Sequence, residues 1–352
     1  MNTKELQSSN HLALTKQILS SMLDLQKHLK NNEFILRTPI DKIRTTNGRN
    51  ITVKREDLQS IGSFKIRGAY NAIRLADSDI AKKGLVTASA GNHSQGFARS
   101  AKAFGYPAIA FMPQSTPLTK QKATRALGAK VVLIGANFDE AKAHCLEYSR
   151  KHGLLYIPPF DHPDVMAGQA TAVLEALGQA PQTTHLYVPV GGGGLLAGAI
   201  VATQWHKKHI GNKVQKIIGV EAAVAASMAA AVLANKPINL DSARTIAEGI
   251  NVRQVGQMAF DIAQQAVNDG LVELMEVDDD EIKQAMVLQK SVTNLMPEGA
   301  GATALAGALK ASSNSDQKAL VISSGCNIDS ILANQIEAET PIQASLQQLA
   351  VC

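Results

Sequence analysis

THLYVPVGGGGLLAGAIVATQWHKK, residues 184–208, runs from a short apolar segment rich in β-formers, through four glycines, into a longer alanine-rich segment. The first part has the length and composition of a buried strand, and the last part those of a buried helix. Joined by a glycine turn, the two make one strand–helix unit of a parallel sheet. Leu186 to Gln204 carries no charge and is long enough to cross a bilayer. Five glycines and Pro189 break that run. We therefore read it as strand, loop and buried helix, with no membrane span.

The same alternation extends in both directions. ITVKRED, GLVTAS, PAIAFM, KVVLIG, LLYIPP, KIIGVEA, VELMEV and KALVISSG read as strands. FKIRGAYNAIRLA, HSQGFARSAKAFG, PLTKQKATRALG, DEAKAHCLEYSRKHG and DDDEIKQAMVLQKS read as helices, as does an alanine-rich stretch at 223–235. Residues 1–30 read as a polar helix packing across the body or against a partner subunit. Strands separated by helical patterns of this length predict parallel βαβ units with both sheet faces covered. Ligands of such sheets sit beyond the carboxyl ends of the strands.

At 352 residues the chain is long enough for two domains or lobes. Hydrophobic residues make up 45% and charged residues 18%, a balance that excludes a disordered chain. The net charge of +5 is scattered and aromatics are only 4%, so a nucleic-acid surface is not expected. Cys145, Cys326 and Cys352 form no metal-binding or disulfide pattern, which predicts a reducing, cytoplasmic setting. The opening MNTKELQSSN has no signal-peptide pattern. Asp278 to Glu281 reads as the acidic start of a helix, and His185, His206 and His209 as unrelated positions, so no metal is expected.

Four loops carry the candidate chemistry. Gly191 to Gly194 let backbone N–H groups turn toward one point at a helix N-terminus, a cradle for a compact phosphate. The third-glycine position of a dinucleotide fingerprint is absent here. S89-A-G-N-H93 opens a second helix and suits a carboxylate. S323-S-G-C-N327 ends the last strand, with Ser324 or Asn327 offering a neutral hydrogen-bonding group. In S60-I-G-S-F-K-I-R67, Gly62 and Ser63 read as a turn and helix cap. Lys65 then falls in the first helical turn, where a protonated amine is disfavoured. A neutral lysine is a nucleophile able to form a Schiff base. A phosphate cradle with such a lysine points to pyridoxal 5′-phosphate.

Taken in order, K-R-E-D-L-Q at 54–59, S-F-K-I-R-G at 63–68, S-A-G-N-H at 89–93, A-G-Q-A-T at 167–171, P-V-G-G-G-G-L at 189–195, E-G-A-G-A at 298–302 and S-G-C-N at 324–327 closely resemble the fold-type II threonine/serine dehydratases (threonine ammonia-lyases). The resemblance runs from about residue 30 to 330. It implies an α/β fold of two open, mainly parallel twisted sheets with helices on both faces, like the tryptophan synthase β chain. It also implies a large cofactor-binding domain of residues 1–52 and 156–352 and a small domain of 53–155. Residues 331–352 are too few for an appended regulatory domain, which fits the short catabolic type.

By that resemblance Lys65 carries pyridoxal phosphate as a Schiff base and then serves as the base at the α-carbon. Phe64 flanks the pyridine ring and Asn92 bonds its 3′-oxygen. Gly191, Gly192, Gly193, Gly194 and Leu195 hold the phosphate, and Ser324 meets the ring nitrogen. Ser89, Gly91, Asn92 and His93 line the substrate carboxylate site, with Ser89 and His93 counted among the catalytic group, and Phe160 lies beside the substrate. The implied reaction turns L-threonine, and L-serine, into a 2-oxo acid and ammonia. The implied assembly is a homodimer or homotetramer without nucleic-acid or membrane partners. Related serine racemases carry a second serine where this chain has Ala90. Their divalent-cation site keeps Glu221 but meets Ser227 in place of its second carboxylate. A serine racemase/dehydratase or a 3-hydroxyaspartate dehydratase is the alternative within the fold, and a non-catalytic phosphate sensor the alternative outside it.

Overall fold

A computed structural model describes residues 3–31, 34–45, 48–311 and 317–341; Cys352 lies outside them. Among the described residues ten strands form two sheets: β1 (Ile40–Arg44), β2 (Asn50–Arg55), β3 (Leu85–Ala88), β4 (Ala108–Met112), β5 (Lys130–Leu133), β6 (Leu155–Tyr156), β7 (His185–Pro189), β8 (Lys216–Ala222), β9 (Val272–Val277) and β10 (Ala319–Ser323). The larger sheet has the order β1-β2-β10-β7-β8-β9 and the smaller β5-β4-β3-β6. Every pairing is parallel except β1 with β2. The expected α/β architecture of two mainly parallel sheets is the one observed.

The glycine tetrad joins β7 to the helix Gly194–His209, as read. β7 is central, between β10 and β8, with Val321 opposite Tyr187 and Val188 opposite Gly219. Its neighbours bury it on both faces, hence the uncharged composition. The N-terminal helix Thr3–His28 contributes Ile18, Met22 and Leu25, all fully buried on one face.

Two local readings are corrected. The helix after β2 spans Lys65–Arg74 with Phe64 as its cap residue and no side-chain cap. Ser63 is not that cap; its hydroxyl is buried without a partner. Its backbone bridges to Gly325, and Phe64 N–H donates to Ser324 O (3.1 Å), so a tertiary contact replaces the cap. The alanine-rich stretch is a 3-10 turn, Ala223–Ala225, followed by a shorter helix, Ser227–Ala234. The Asp278–Glu281 start is a full capping box on the helix Asp279–Thr293.

Of the helices that follow no pattern read from the sequence alone, three bear on the site. Pro163–Gln179 and Gly299–Lys310 are buried around nearly their whole circumference, and Gln257–Asn268 lies beside the glycine tetrad. The first of these crosses the Lys65–Arg74 helix so closely that a Cβ on Gly168 would stand 2.4 Å from Arg67 O and 2.5 Å from Gly68 Cα. At this crossing Arg67 is fully buried between Glu56 and Glu175.

Candidate active site

The loops that end β3, β7 and β10 meet the first turn of the Lys65–Arg74 helix at one place. Lys65 Nζ donates to Pro159 O (2.9 Å) and lies 5.3 Å from the Phe64 ring centre. One residue on, Phe160 packs onto the glycine tetrad. A Cβ on Gly192 would stand 2.4–2.5 Å from the Phe160 ring, and one on Gly194 2.7 Å from Phe160 O. Gly193 has φ +88° and caps the following helix, a conformation that favours glycine. Gly256 N–H donates to Gly192 O (3.1 Å), and Ile250 closes over Gly191. The tetrad is buried, yet among the described residues the N–H groups of Gly191, Gly192 and Gly193 meet no acceptor. Buried N–H groups are rarely left this way unless a ligand takes them. The helix they lead into has no side-chain cap.

The second helix N-terminus, at Asn92–Phe104, is also uncapped, with Gly91 as its cap residue. Gly96 in this helix approaches the Lys65 backbone, at 3.1 Å from a notional Cβ, which draws the two first turns together. Ser89 follows β3 and its hydroxyl accepts weakly from Gly91 N–H (3.4 Å). Asn92 Nδ2 donates to Glu298 Oε1 (2.6 Å) and its Oδ1 accepts from Asn327 Nδ2 (2.7 Å). Ser324 is buried and donates to Ala300 O (3.1 Å). Leu195 turns its side chain into the large apolar core, so only its backbone is available to a ligand.

Burial lowers the Lys65 amine to about 8, partly offset by Glu298. Desolvation above all brings this amine closer to its neutral form than an ordinary lysine. His93 is 2% exposed, and burial with nearby Lys65 lowers its imidazole to about 3. It is neutral throughout the physiological range, with Nε2 3.3 Å from Ile157 O and Nδ1 unpartnered. Burial raises the Glu298 carboxyl to about 7 and the Cys326 thiol to about 12. Cys326 Sγ lies 3.3 Å from Asp57 O. At the rim Lys120 pairs with Glu248. Glu221 is fully buried, and its two oxygens accept from Met228 N–H (2.7 Å) and Ala229 N–H (2.8 Å).

Residues 32–325 match the family model for pyridoxal-phosphate dependent enzymes. The chain belongs to that family. Curated relatives include an L-threonine ammonia-lyase of Geobacter sulfurreducens, 42% identical over 80% of this chain and 68% of that one. An L-threonine dehydratase of Pasteurella multocida is 42% identical over 75% of this chain and 50% of its own length. The chain spans about half the length of several such biosynthetic relatives. Among solved structures, threonine deaminase isoform 2 from Solanum lycopersicum aligns with a TM-score of 0.79 and 34% identity, covering 96% of this chain and 94% of that one. Maize serine racemase aligns with a TM-score of 0.80 and 29% identity, covering 90% and 95%.

The site fits the family's cofactor. Buried orphan N–H groups lie at an uncapped helix start, and Lys65 stands beside them with a lowered amine. Sequence reasoning gave no role to Glu298, Asp161, Lys120 or Glu248. Glu298 precedes an alanine-rich helix and looks like a cap residue, but its carboxylate makes no cap bond and reaches Asn92. Asp161 instead caps the helix Gln257–Asn268, accepting from Ala259 N–H (3.2 Å), a pairing with no sequence signal. The Gly192 contact supplies a test. Gly192→Ala is expected to weaken cofactor binding by the equivalent of about 1–3 kcal/mol, the usual cost of overpacking. Titrating the cofactor-free protein by fluorescence measures it, and unchanged affinity would mean the tetrad is a packing turn only.

Proposed function

We propose that this chain is a pyridoxal-phosphate dependent ammonia-lyase that removes water and then ammonia from L-threonine, and from L-serine. The observation carrying the reading is a half-buried lysine with a lowered amine, set beside a glycine cradle whose N–H groups meet no acceptor among the described residues. The names of the most similar relatives support the same chemistry.

When bound, pyridoxal phosphate supplies an electron sink that acidifies the α-carbon of an attached amino acid. Gly191 to Gly194 and the backbone of Leu195 would hold its phosphate, Phe64 and Asn92 its ring, and Ser324 its ring nitrogen. Lys65 would anchor it and, once displaced by the substrate amine, take the α-proton at Nζ. The N-terminus of the Asn92–Phe104 helix, with Ser89, Gly91 and His93, would orient the substrate carboxylate, and Phe160 would exclude water from one side. Ser324 is a neutral hydroxyl and cannot hold a ring nitrogen protonated as a carboxylate would. That favours expulsion of the β-hydroxyl directly after proton removal. The C–O bond breaks, the hydroxyl leaves as water, and hydrolysis of the released enamine yields a 2-oxo acid and ammonia.

The division into residues 1–52 with 156–352 and residues 53–155 belongs to this proposal, as do a cytoplasmic location and a homodimeric or homotetrameric state. The free thiols of Cys145 and Cys326 support a reducing compartment. Among the described residues no helix is long and apolar enough to cross a membrane. The serine racemase neighbour makes racemisation the competing reading, but Ala90 has no proton to deliver to the opposite face. Assaying 2-oxo acid formation from L-threonine, L-serine and 3-hydroxyaspartate, with chiral analysis of residual serine, decides the matter. We expect product from the first two. Product from 3-hydroxyaspartate alone, or substantial D-serine, would overturn the proposal.

A further inference from the structure

Glu298 is a half-buried carboxyl group for which the reaction outlined above has no use. Asn327 Nδ2 lies 2.8 Å from Ile61 O and 2.7 Å from Asn92 Oδ1. A backbone carbonyl only accepts, so the nitrogen of Asn327 must face Ile61. Both of its hydrogens are then committed, one to Ile61 O and one to Asn92. Asn92 must meet that donor with its oxygen, and its nitrogen therefore faces Glu298 Oε1 at 2.6 Å. One Asn92 hydrogen goes to Glu298. Among the described residues the other has no acceptor, and it is the single amide donor this cluster leaves for a ligand.

We propose that Glu298 is a positioning residue that acts through Asn92, setting the direction and donor strength of the one amide N–H left for the cofactor ring. The proposal rests on the pyridoxal-phosphate reading of the site. An ionised carboxylate drawing on one Asn92 hydrogen weakens the other as a donor, and a protonated carboxyl releases it. Burial raises the Glu298 carboxyl to about 7, so both forms exist near neutral pH. The groups facing it come from every neighbouring element: Lys65 from the Lys65–Arg74 helix, Lys120 from Leu118–Ala126, Glu248 from the turn Glu248–Ile250, and Cys326 from the loop after β10. Lys65 and Lys120 favour its ionised form and Glu248 opposes it. A Cβ on Gly325 would stand 2.6 Å from Glu298 Oε1, so the carboxyl is confined from that side as well.

The test uses the cofactor-loaded protein and reads the visible band of the bound cofactor against pH, together with cofactor affinity. The parent should show a spectral step between about pH 6 and 8. Glu298→Gln keeps the acceptor for Asn92 but cannot titrate. It should retain affinity within about threefold and lose the step. Glu298→Ala removes the acceptor and should weaken binding about tenfold, the scale of a lost charge-assisted hydrogen bond. A Glu298→Gln protein that keeps the step, or a parent with the visible band but no step, overturns the role of Glu298. If Glu298→Ala fails to fold, Glu298→Gln still decides. A parent with no visible band overturns the cofactor reading itself, so the two failures are distinguishable.

Discussion

Lys65→Ala is expected to lower turnover by at least about 10³-fold, because one nitrogen both anchors the cofactor and moves the α-proton, and a positioned base alone is worth roughly 10²–10⁴. His93 at about 3 and Glu298 at about 7 are both weaker bases than the amine they would replace. His93 is buried and neutral at any working pH, and Glu298 has a hydrogen bond from Asn92. Borohydride reduction followed by intact-mass analysis should find the cofactor adduct on the parent and none on the variant. Weaker, phosphate-dependent binding should persist, since the glycine tetrad is untouched. The lowered amine adds a pH signature. An amine of about 8 is mostly protonated at pH 7 and mostly free at pH 9. Only the free form attacks an aldehyde. The rate at which cofactor-free protein captures pyridoxal phosphate should therefore rise with pH up to about 8 and then level. A rate still climbing toward 10.5, the ordinary lysine value, would show that burial does not control this amine.

Arg67→Ala is expected to cost about 3–5 kcal/mol of stability, the range for breaking a buried ion pair by removing one partner. Arg67 forks twice. It donates to Glu56 through Nε (2.7 Å) and Nη2 (2.8 Å), and to Glu175 through Nη1 (2.9 Å) and Nη2 (2.8 Å). Lys54 donates to Glu175 (3.1 Å) and to Thr38 O (2.7 Å), so two cations and two anions balance. Without Arg67, Lys54 alone faces two buried carboxylates. The same cluster joins β2 to the helices Lys65–Arg74 and Pro163–Gln179, so the lysine should lose its placement with the stability. Urea unfolding should show a lower midpoint at unchanged slope, with Arg67→Lys intermediate because it cannot fork. The pH dependence has a definite sign. Burial raises the Glu56 carboxyl, but Arg67 and Lys54 outweigh it and hold Glu56 below its ordinary 4.5. Its contribution is present above that value and is lost as pH falls through the lower folded one. Arg67→Ala should thus unfold at a higher pH on acidification. A midpoint matching the parent would remove the cluster from the account of stability.

Most of the parallel sheet was legible in the chain because each strand–helix unit carries its own period and turn. β7, the glycine tetrad and the helix after it are an example, and so is the capping box at Asp278. β1 escaped because it is an edge strand with Ile43 as its one fully buried side chain amid Asp41, Lys42 and Arg44. The helices Pro163–Gln179 and Gly299–Lys310 escaped for the opposite reason. They are buried on nearly every side, so no polar face marks a period. Ser63 was misread because Phe64 meets Ser324, which follows β10 some 260 residues away, and that contact does the work of a cap.

The sequence by itself determined the strand–helix alternation, the glycine cradle and the lysine at a helix start, since each is a property of neighbours along the chain. Only the tertiary structure decided that Lys65 is desolvated, that Asn92 answers to Glu298 and Asn327, and that Arg67 is locked between two acids. Those facts depend on groups far apart in sequence coming within 3 Å in a medium that screens charge poorly, and no local pattern records such an encounter.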